Sequence, residues 1–183
     1  MSRTGKIQIG LVAVVVAAMS YGGWYLIPRH HSGPLGTVFE NGTAGARLCM
    51  PVGEAVDVTY GVGPLNNTSS STAVITDVDL VDAHNLEHVV AILVPFDKVM
   101  VGSKVGWTYG QGPWGVKPAD PLLATGALLP GKEEKYQLVM RLTRPDVLGE
   151  SRAEGIRVEY RVGMRRFVSE YGPSQLLRPG RCH

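Results

Sequence analysis

Apolar and polar side chains alternate along much of the chain, and this alternation is its main structural signal. In KYQLVMRLT (135–143) and GIRVEYRVG (155–163), every second residue is apolar and most residues between are polar or charged. A period of two predicts a β-strand with one buried and one solvated face. The same reasoning predicts further strands at 54–62, 72–81, 87–95 and 165–171, and a weaker one at 46–52.

Turn-forming residues separate these strands, and helical periodicity is nearly absent. Turns are predicted in GPLNNTSSS, DAHN, LPGKE and VGM. The strand at 87–95 is apolar on both faces, so we expect it in the interior of a sheet. Only SQLL, from Ser174, suggests a short helical turn. About seven strands at this spacing predict an all-β fold, an immunoglobulin-like antiparallel β-sandwich.

A long uncharged segment precedes the β-rich region. Residues 7–27, IQIGLVAVVVAAMSYGGWYLI, match the roughly 20 apolar residues that cross a bilayer. Arg3 and Lys6 lie before this segment, and the more positive flank stays in the cytoplasm. We therefore expect residues 1–28 to form a cytoplasmic stub and a single-pass transmembrane helix, with the rest of the chain extracytoplasmic.

The domain boundaries follow from this segment. The alternative to an anchor is a cleaved signal peptide, with Val16 and Ala18 before the cut, although the apolar run continues beyond that point. Residues 29–45 are rich in Gly, Ser and Pro and show no clear period, which predicts a flexible linker. Residues 46–183 are then the extracytoplasmic domain.

Two cysteines, Cys49 and Cys182, bracket that domain. In an oxidising compartment such a pair favours one disulfide, which would close most of the domain into a single loop. Two unpaired thiols, or a redox or metal role, are the alternatives. Neither cysteine lies in a C-x-x-C pattern that would support a redox or metal role.

Charge excludes a strongly basic binding surface for the domain as a whole. From Arg29 onward there are 16 Lys and Arg and 16 Asp and Glu, because only two of the 18 basic residues come earlier. Nucleic acid is therefore not expected as a partner.

Arginines are nevertheless concentrated on two neighbouring predicted strands, at Arg157, Arg161, Arg165 and Arg166. Guanidinium groups suit lipid headgroups, acidic wall polymers or a carboxylate-rich partner. The alternative is a solvated sheet face on which Glu159 and Glu170 act as cross-strand counter-ions.

A loop predicted at 102–121, GSKVGWTYGQGPWGVKPADP, is long and lacks a strand pattern. Trp107, Tyr109 and Trp114 are candidates for a partner-binding surface, or for a lid that closes one end of the sandwich. The loop contains the letters of a G-x-G-x-x-G dinucleotide motif at 110–115. Pro113 removes a backbone amide there and no helix can follow, so no nucleotide or other cofactor is expected.

Metal binding and catalysis receive little support from the sequence. Histidines and methionines that could bind copper on a sandwich are scattered along the chain: His84, His88, His183, Met50, Met100, Met140 and Met164. No G-x-S-x-G motif is present, and the serines at 69–71 lie in a polar turn. We expect a non-catalytic protein, with an extracytoplasmic copper-binding domain as the alternative.

The order of these features resembles a known group of proteins. An uncharged anchor precedes TAVITDVDLVDAHNLEHVVAILVP, LPGKEEKYQLVMRL, GIRVEYRVGMRRF and a near-terminal cysteine. This resembles membrane-anchored, extracytoplasmic β-sandwich proteins of unassigned function from actinobacteria. The resemblance implies a fold and a location but no activity. We therefore expect a binding or structural module of the cell envelope, with a protein or cell-wall partner.

Overall fold

The computed structural model describes residues 29–30, 33–37, 47–95, 106–109, 122–131 and 135–182. Their regular structure is entirely β: β1 (Arg29–His30), β2 (Leu35–Thr37), β3 (Arg47–Pro51), β4 (Asp57–Asn67), β5 (Ala73–Val81), β6 (Glu87–Pro95), β7 (Gly106–Tyr109), β8 (Leu122–Leu123), β9 (Leu128–Leu129), β10 (Lys135–Thr143), β11 (Ser151–Ala153), β12 (Gly155–Val162), β13 (Arg165–Tyr171) and β14 (Ser174–Arg178). No helix capable of crossing a bilayer occurs within these ranges, and the predicted span 7–27 lies outside them.

Two sheets pack face to face and form the predicted β-sandwich. The first sheet has the strand order β1-β13-β12-β5-β9, and the second has β2-β4-β10-β6-β8, with β7 also paired to β4. A third, smaller sheet has the order β11-β14-β3. The long pairings are antiparallel, whereas β1 with β13 and β14 with β3 are parallel. The prediction of an all-β sandwich is confirmed.

The core lies between the two main sheets and is built from the alternating apolar residues. On β12, Ile156, Val158 and Tyr160 are buried, whereas Arg157 and Arg161 are exposed. They meet fully buried residues from the facing sheet, including Tyr60, Leu93, Leu138, Met140 and Leu142. Burial of each such aliphatic side chain contributes about 1.5–3 kcal/mol, so these period-two faces hold the sandwich together.

Two predicted turns are strands instead. β4 continues to Asn67 through GPLNN, because a register shift opposite Leu138 and Val139 accommodates an extra residue and keeps the strand paired with β10. SQLL forms β14, not a helical turn, because its backbone pairs on both sides with β11 and β3. In both places long-range pairing overrides the local composition.

Part of the segment predicted as a flexible linker belongs to the sandwich. β2 pairs with β4, and the Leu35 side chain is fully buried. The Tyr171 hydroxyl donates to the Leu35 carbonyl at 2.8 Å, while the Leu35 amide donates to the Tyr160 hydroxyl at 3.3 Å. A Cβ at Gly33 would overlap that Tyr160 hydroxyl, so glycine permits the close approach. The linker prediction is wrong for residues 33–37, because one buried leucine gives no periodic signal.

Strand register places the connections at two opposite ends of the sandwich. We define the entry end by the β12–β13 hairpin with Gly163 and Met164, because β1 enters beside it in parallel with β13. We define the far end by residues 82–86, which follow β5, and residues 144–150, which follow β10. Both segments lie at the end of the sandwich opposite the β12–β13 hairpin. The chain therefore enters at one end, and the candidate site described next lies at the other.

Candidate functional site

A fully buried arginine organises the far end. The guanidinium of Arg144 donates from Nη1 to the carbonyls of Gly53 and Ala55, at 3.1 and 3.0 Å. Its Nη2 donates to the carbonyls of Val147 and Gly149, at 2.9 and 3.0 Å. Its Nε donates to the Ser151 hydroxyl at 3.1 Å. One side chain thus ties the loop before β4 to the loop after β10.

A second clamp comes from the turn between β5 and β6. Asp82 and Asn85 adopt left-handed φ values of 47° and 52°, which short polar side chains tolerate better than most. The Asn85 amide nitrogen donates to the Asp146 carbonyl at 2.7 Å and to the Ser151 hydroxyl at 2.9 Å. Its oxygen accepts the Asp146 amide at 2.8 Å. The predicted DAHN turn is therefore present, and it holds the neighbouring loop in place.

The loop after β10 is also fixed from within. The Asp146 carboxylate accepts the Leu148 amide at 3.0 Å. A Cβ at Gly149 would lie 2.5 Å from the other carboxylate oxygen of Asp146, so a larger residue would displace this turn. Glu150 forms an ion pair with Arg178 of β14 at 2.7 Å. These contacts order the loop before any ligand arrives.

A cavity of about 640 Å³ lies between the two loops. Its lining combines charged and neutral side chains: His84, Asn85, Leu86, Glu87, Pro145, Asp146, Gly149, Glu150 and Arg152. A backbone bridge closes one side, because the His84 and Arg152 amides each donate to the other's carbonyl, at 2.9 and 3.0 Å. The cavity is in the size range of small-ligand sites and presents polar groups from ordered loops.

The disulfide braces the same end of the molecule. Cys49 on β3 is bonded to Cys182, as predicted, with Cα atoms 5.9 Å apart. β3 pairs in parallel with β14, and β14 with β11, so the bridge fastens the third sheet beside the cavity. The Tyr60 hydroxyl near this sheet accepts a hydrogen bond from Gln175 at 3.0 Å. Burial raises the pKa of Tyr60, while the Gln175 hydrogen bond lowers it by less.

The aromatic candidates are only partly covered by the structure. Gly106–Tyr109 is a strand on β4, with Trp107 paired to Tyr60, so the loop predicted at 102–121 is not free of regular structure. Backbone pairing with a long strand explains this, although the segment has no alternation of its own. Trp114 and the 110–115 motif lie outside the described residues. The role of Trp107, Tyr109 and Trp114 in partner binding stays a prediction.

The four candidate arginines fall into different environments. Arg157 is paired with Glu170 at 3.2 Å, so the counter-ion interpretation holds for this residue. Arg161 and Arg166 lie directly opposite each other on the outer face of the first sheet. Within the described ranges, no acidic group lies within ion-pair distance of either side chain. Arg165 is exposed and pairs in register with Val162 at the entry end.

The outer face of the second sheet is different, because part of it is buried. Gln137, Val139 and Val94 are at most 3% exposed, although each lies on the side of its strand away from the core. Both amide atoms of Gln137 lack a hydrogen-bond partner in the part of the chain that is described. The alternating pattern of β10 predicts a solvated face here, and that prediction is wrong for Gln137.

The metal candidates are spread over the molecule. His84 lines the cavity, His88 is half-buried on β6, and Met140 is fully buried in the core. Met164 is 78% exposed at the entry end, and Met50 lies partly buried on β3. Met100 and His183 lie outside the described residues. Among the residues that are placed, no three His, Cys, Asp or Glu side chains come together as a metal site.

The sequence places His84 in a predicted turn and among the scattered metal-ligand candidates, and it assigns no loop-clamping role to Arg144 or Asn85. Arg144 follows β10 directly and precedes Pro145. The sequence alone therefore indicates an ordinary charged residue at the end of a strand. An arginine between an apolar strand and a Pro/Gly-containing loop is a weak signal for a buried loop clamp. Asn85, two residues before a strand, carried the stronger signal of a left-handed turn.

The chain matches no protein-family model, and no curated protein is significantly similar to it.

Proposed function

We propose that the chain is a non-catalytic, single-pass membrane protein whose extracytoplasmic β-sandwich binds another component of the cell envelope. The observation that carries this proposal is the polarity of the sandwich. The chain enters beside the β12–β13 hairpin, and the preorganised cavity lies at the far end. With residues 7–27 as the anchor, this arrangement presents the cavity away from the membrane.

Three further observations support the proposal. A disulfide closing 133 residues of separation suits an oxidising, extracytoplasmic compartment. Ser151, the buried hydroxyl beside the cavity, accepts hydrogen bonds from Arg144 and Asn85, which fits a structural role for this side chain. The strands β4, β5 and β6 alternate between the two sheets, which agrees with the immunoglobulin-like arrangement that we propose for the fold.

The lining favours a polar partner over an apolar one. Glu87 and Asp146 contribute negative charge, as does Glu150, which is paired with Arg178, whereas Arg152 of β11 contributes positive charge. We propose that a segment of a second protein or of a wall polymer, carrying complementary charges, enters this cavity. No cofactor or metal is required for such recognition.

Site-specific crosslinking in intact cells tests this function. A photoreactive amino acid at His84, which is exposed in the cavity lining, should give a discrete crosslinked product. Glu87→Lys in the same chain should lower its yield by about 5-fold, as expected for losing a contact of roughly 1 kcal/mol. The matched control is the same amino acid at exposed Thr76, outside the cavity. Identical products from both positions, or an unchanged yield with Glu87→Lys, would contradict binding at the cavity.

A further inference from the structure

The entry end carries an exposed surface that combines basic and apolar side chains. We call it the basal corner and define it by Leu128, Arg161, Met164 and Arg166. Leu128 and Met164 are large apolar side chains that are 61% and 78% exposed. The segment 160–169 contains three arginines and no acidic residue. The corner thus contributes two arginines, and Glu159 and Asp77 lie paired with each other further along the same sheet face.

Register places these side chains on one surface. Arg161 pairs with Val74 of β5 and with Arg166 of β13, and Val74 pairs in turn with Leu128 of β9. Directly paired residues of antiparallel strands share a face, so one row crosses four strands on the outer side of the first sheet. Met164 lies in the hairpin turn beyond this row.

Two like charges face each other in this row without a described counter-ion. Directly opposed like charges destabilise an antiparallel pair, and Arg157 on the same strand avoids this through Glu170. Guanidinium groups bind phosphate oxygens in paired geometry, so a phosphate between these two side chains would remove the repulsion.

The position of β1 indicates where that phosphate comes from. Arg29 pairs with Phe167 in a parallel arrangement, so the first described residue of the chain lies one position from the level of Arg166. β1 and β13 are adjacent strands, and adjacent strands lie about 4.8 Å apart. Ile27, the last residue of the apolar segment, is two residues from Arg29 and therefore at most about 7 Å away. A bilayer crossed by residues 7–27 has its surface beside the basal corner.

We propose that the basal corner docks on the outer leaflet of the same membrane. Arg161 and Arg166 bind the phosphates of anionic lipid headgroups, and Met164 and Leu128 contact the interfacial region. This inference rests on the anchor assigned under the proposed function. It adds a second, electrostatic contact, which holds the sandwich in one orientation and keeps the cavity pointing outward.

A spin-label experiment on the full chain in vesicles tests this docking. Met164→Cys carries a nitroxide, and Leu148→Cys, 72% exposed at the far end, is the matched control. Because Cys49 and Cys182 are bonded to each other, the introduced cysteine is the reactive thiol. The vesicles contain phosphatidylcholine alone or phosphatidylcholine with phosphatidylglycerol. Collision with a water-soluble nickel complex reports exposure, and collision with oxygen reports contact with lipid.

Docking predicts that the label at 164 is shielded from nickel in the anionic vesicles, whereas the label at 148 is not. Changing Arg161→Gln and Arg166→Gln together should reduce the ratio of docked to undocked molecules by about 5-fold for each arginine. Added salt should act in the same direction. Both substitutions are at exposed positions, so the fold should be retained.

The remaining outcomes distinguish a failure of the docking inference from a failure of the anchor assignment. If the chain stays with the vesicles after a carbonate wash but the label at 164 is as accessible as that at 148, docking is wrong and the anchor stands. If carbonate releases the chain, both are wrong. The label at 164 could also be shielded only when an anionic wall polymer is added, and not by phosphatidylglycerol. That result would overturn the lipid contact in favour of a contact with the wall.

Discussion

At the scale of single residues, Arg144 determines the order of the far end. Its five hydrogen bonds join loops that are distant in sequence, and four of its acceptors are backbone carbonyls. These four hydrogen bonds are partly buried, and a donor with five N–H groups in one plane suits their convergence. The cavity therefore depends on a residue that lies behind its lining.

We expect Arg144→Met to destabilise the protein by about 3 kcal/mol or more, because buried carbonyls would lose their donors. The control is Arg141→Met. Arg141 is 56% exposed and makes one ion pair with Asp57 at 2.9 Å, so its loss should cost below about 1 kcal/mol. Urea unfolding of the full chain in detergent measures both. Similar losses for the two variants would show that Arg144 does not clamp the loops.

At the scale of elements, β2 shows how a segment without periodicity can still be structural. Leu35 is held through both its amide and its carbonyl by two tyrosine hydroxyls, and the side chain fills the core. This contact fixes the first part of the chain against both sheets. It also leaves little free chain between the sandwich and the apolar segment.

Gly33→Ala tests this docking of β2. The added methyl group would overlap the Tyr160 hydroxyl, so we expect a loss of about 1–3 kcal/mol and faster proteolysis near residues 33–37. Gly180→Ala is the matched control, because a Cβ there meets nothing within 4 Å. Its stability should stay within roughly 0.5 kcal/mol of the parent. Unchanged proteolysis in Gly33→Ala would mean that β2 is not held by these contacts.

The elements also show what the sequence can predict. Alternation identifies β5, β6, β12 and β13 almost to the residue, because each buries one face or, for β6, lies inside a sheet. It cannot identify β14, whose buried positions are Gln175 and Leu177, or β7, which has only 4 residues. The candidate site is harder to predict from the sequence than the strands are. Convergence of loop carbonyls on Arg144 is a property of the folded chain, and no local pattern encodes it.

At the scale of the whole molecule, the two ends of the sandwich have different characters. The entry end is basic and partly apolar, and β1 enters there. The far end holds the cavity, the Arg144 clamp and the disulfide. In the chain-entropy description, closing a loop of 133 residues stabilises the whole fold by about 5 kcal/mol, because it restricts the unfolded chain. The polarity is the central claim of our account.

Labelling of intact cells with a membrane-impermeant maleimide tests whether the sandwich lies outside the membrane, which this polarity requires for the cavity to face outward. Leu148→Cys places a reactive thiol at the far end, and Ser2→Cys places one in the segment expected in the cytoplasm. Our account predicts that residue 148 is labelled as fully in intact cells as after lysis, and that residue 2 is labelled only after lysis. Labelling of residue 148 only after lysis would contradict an extracytoplasmic sandwich.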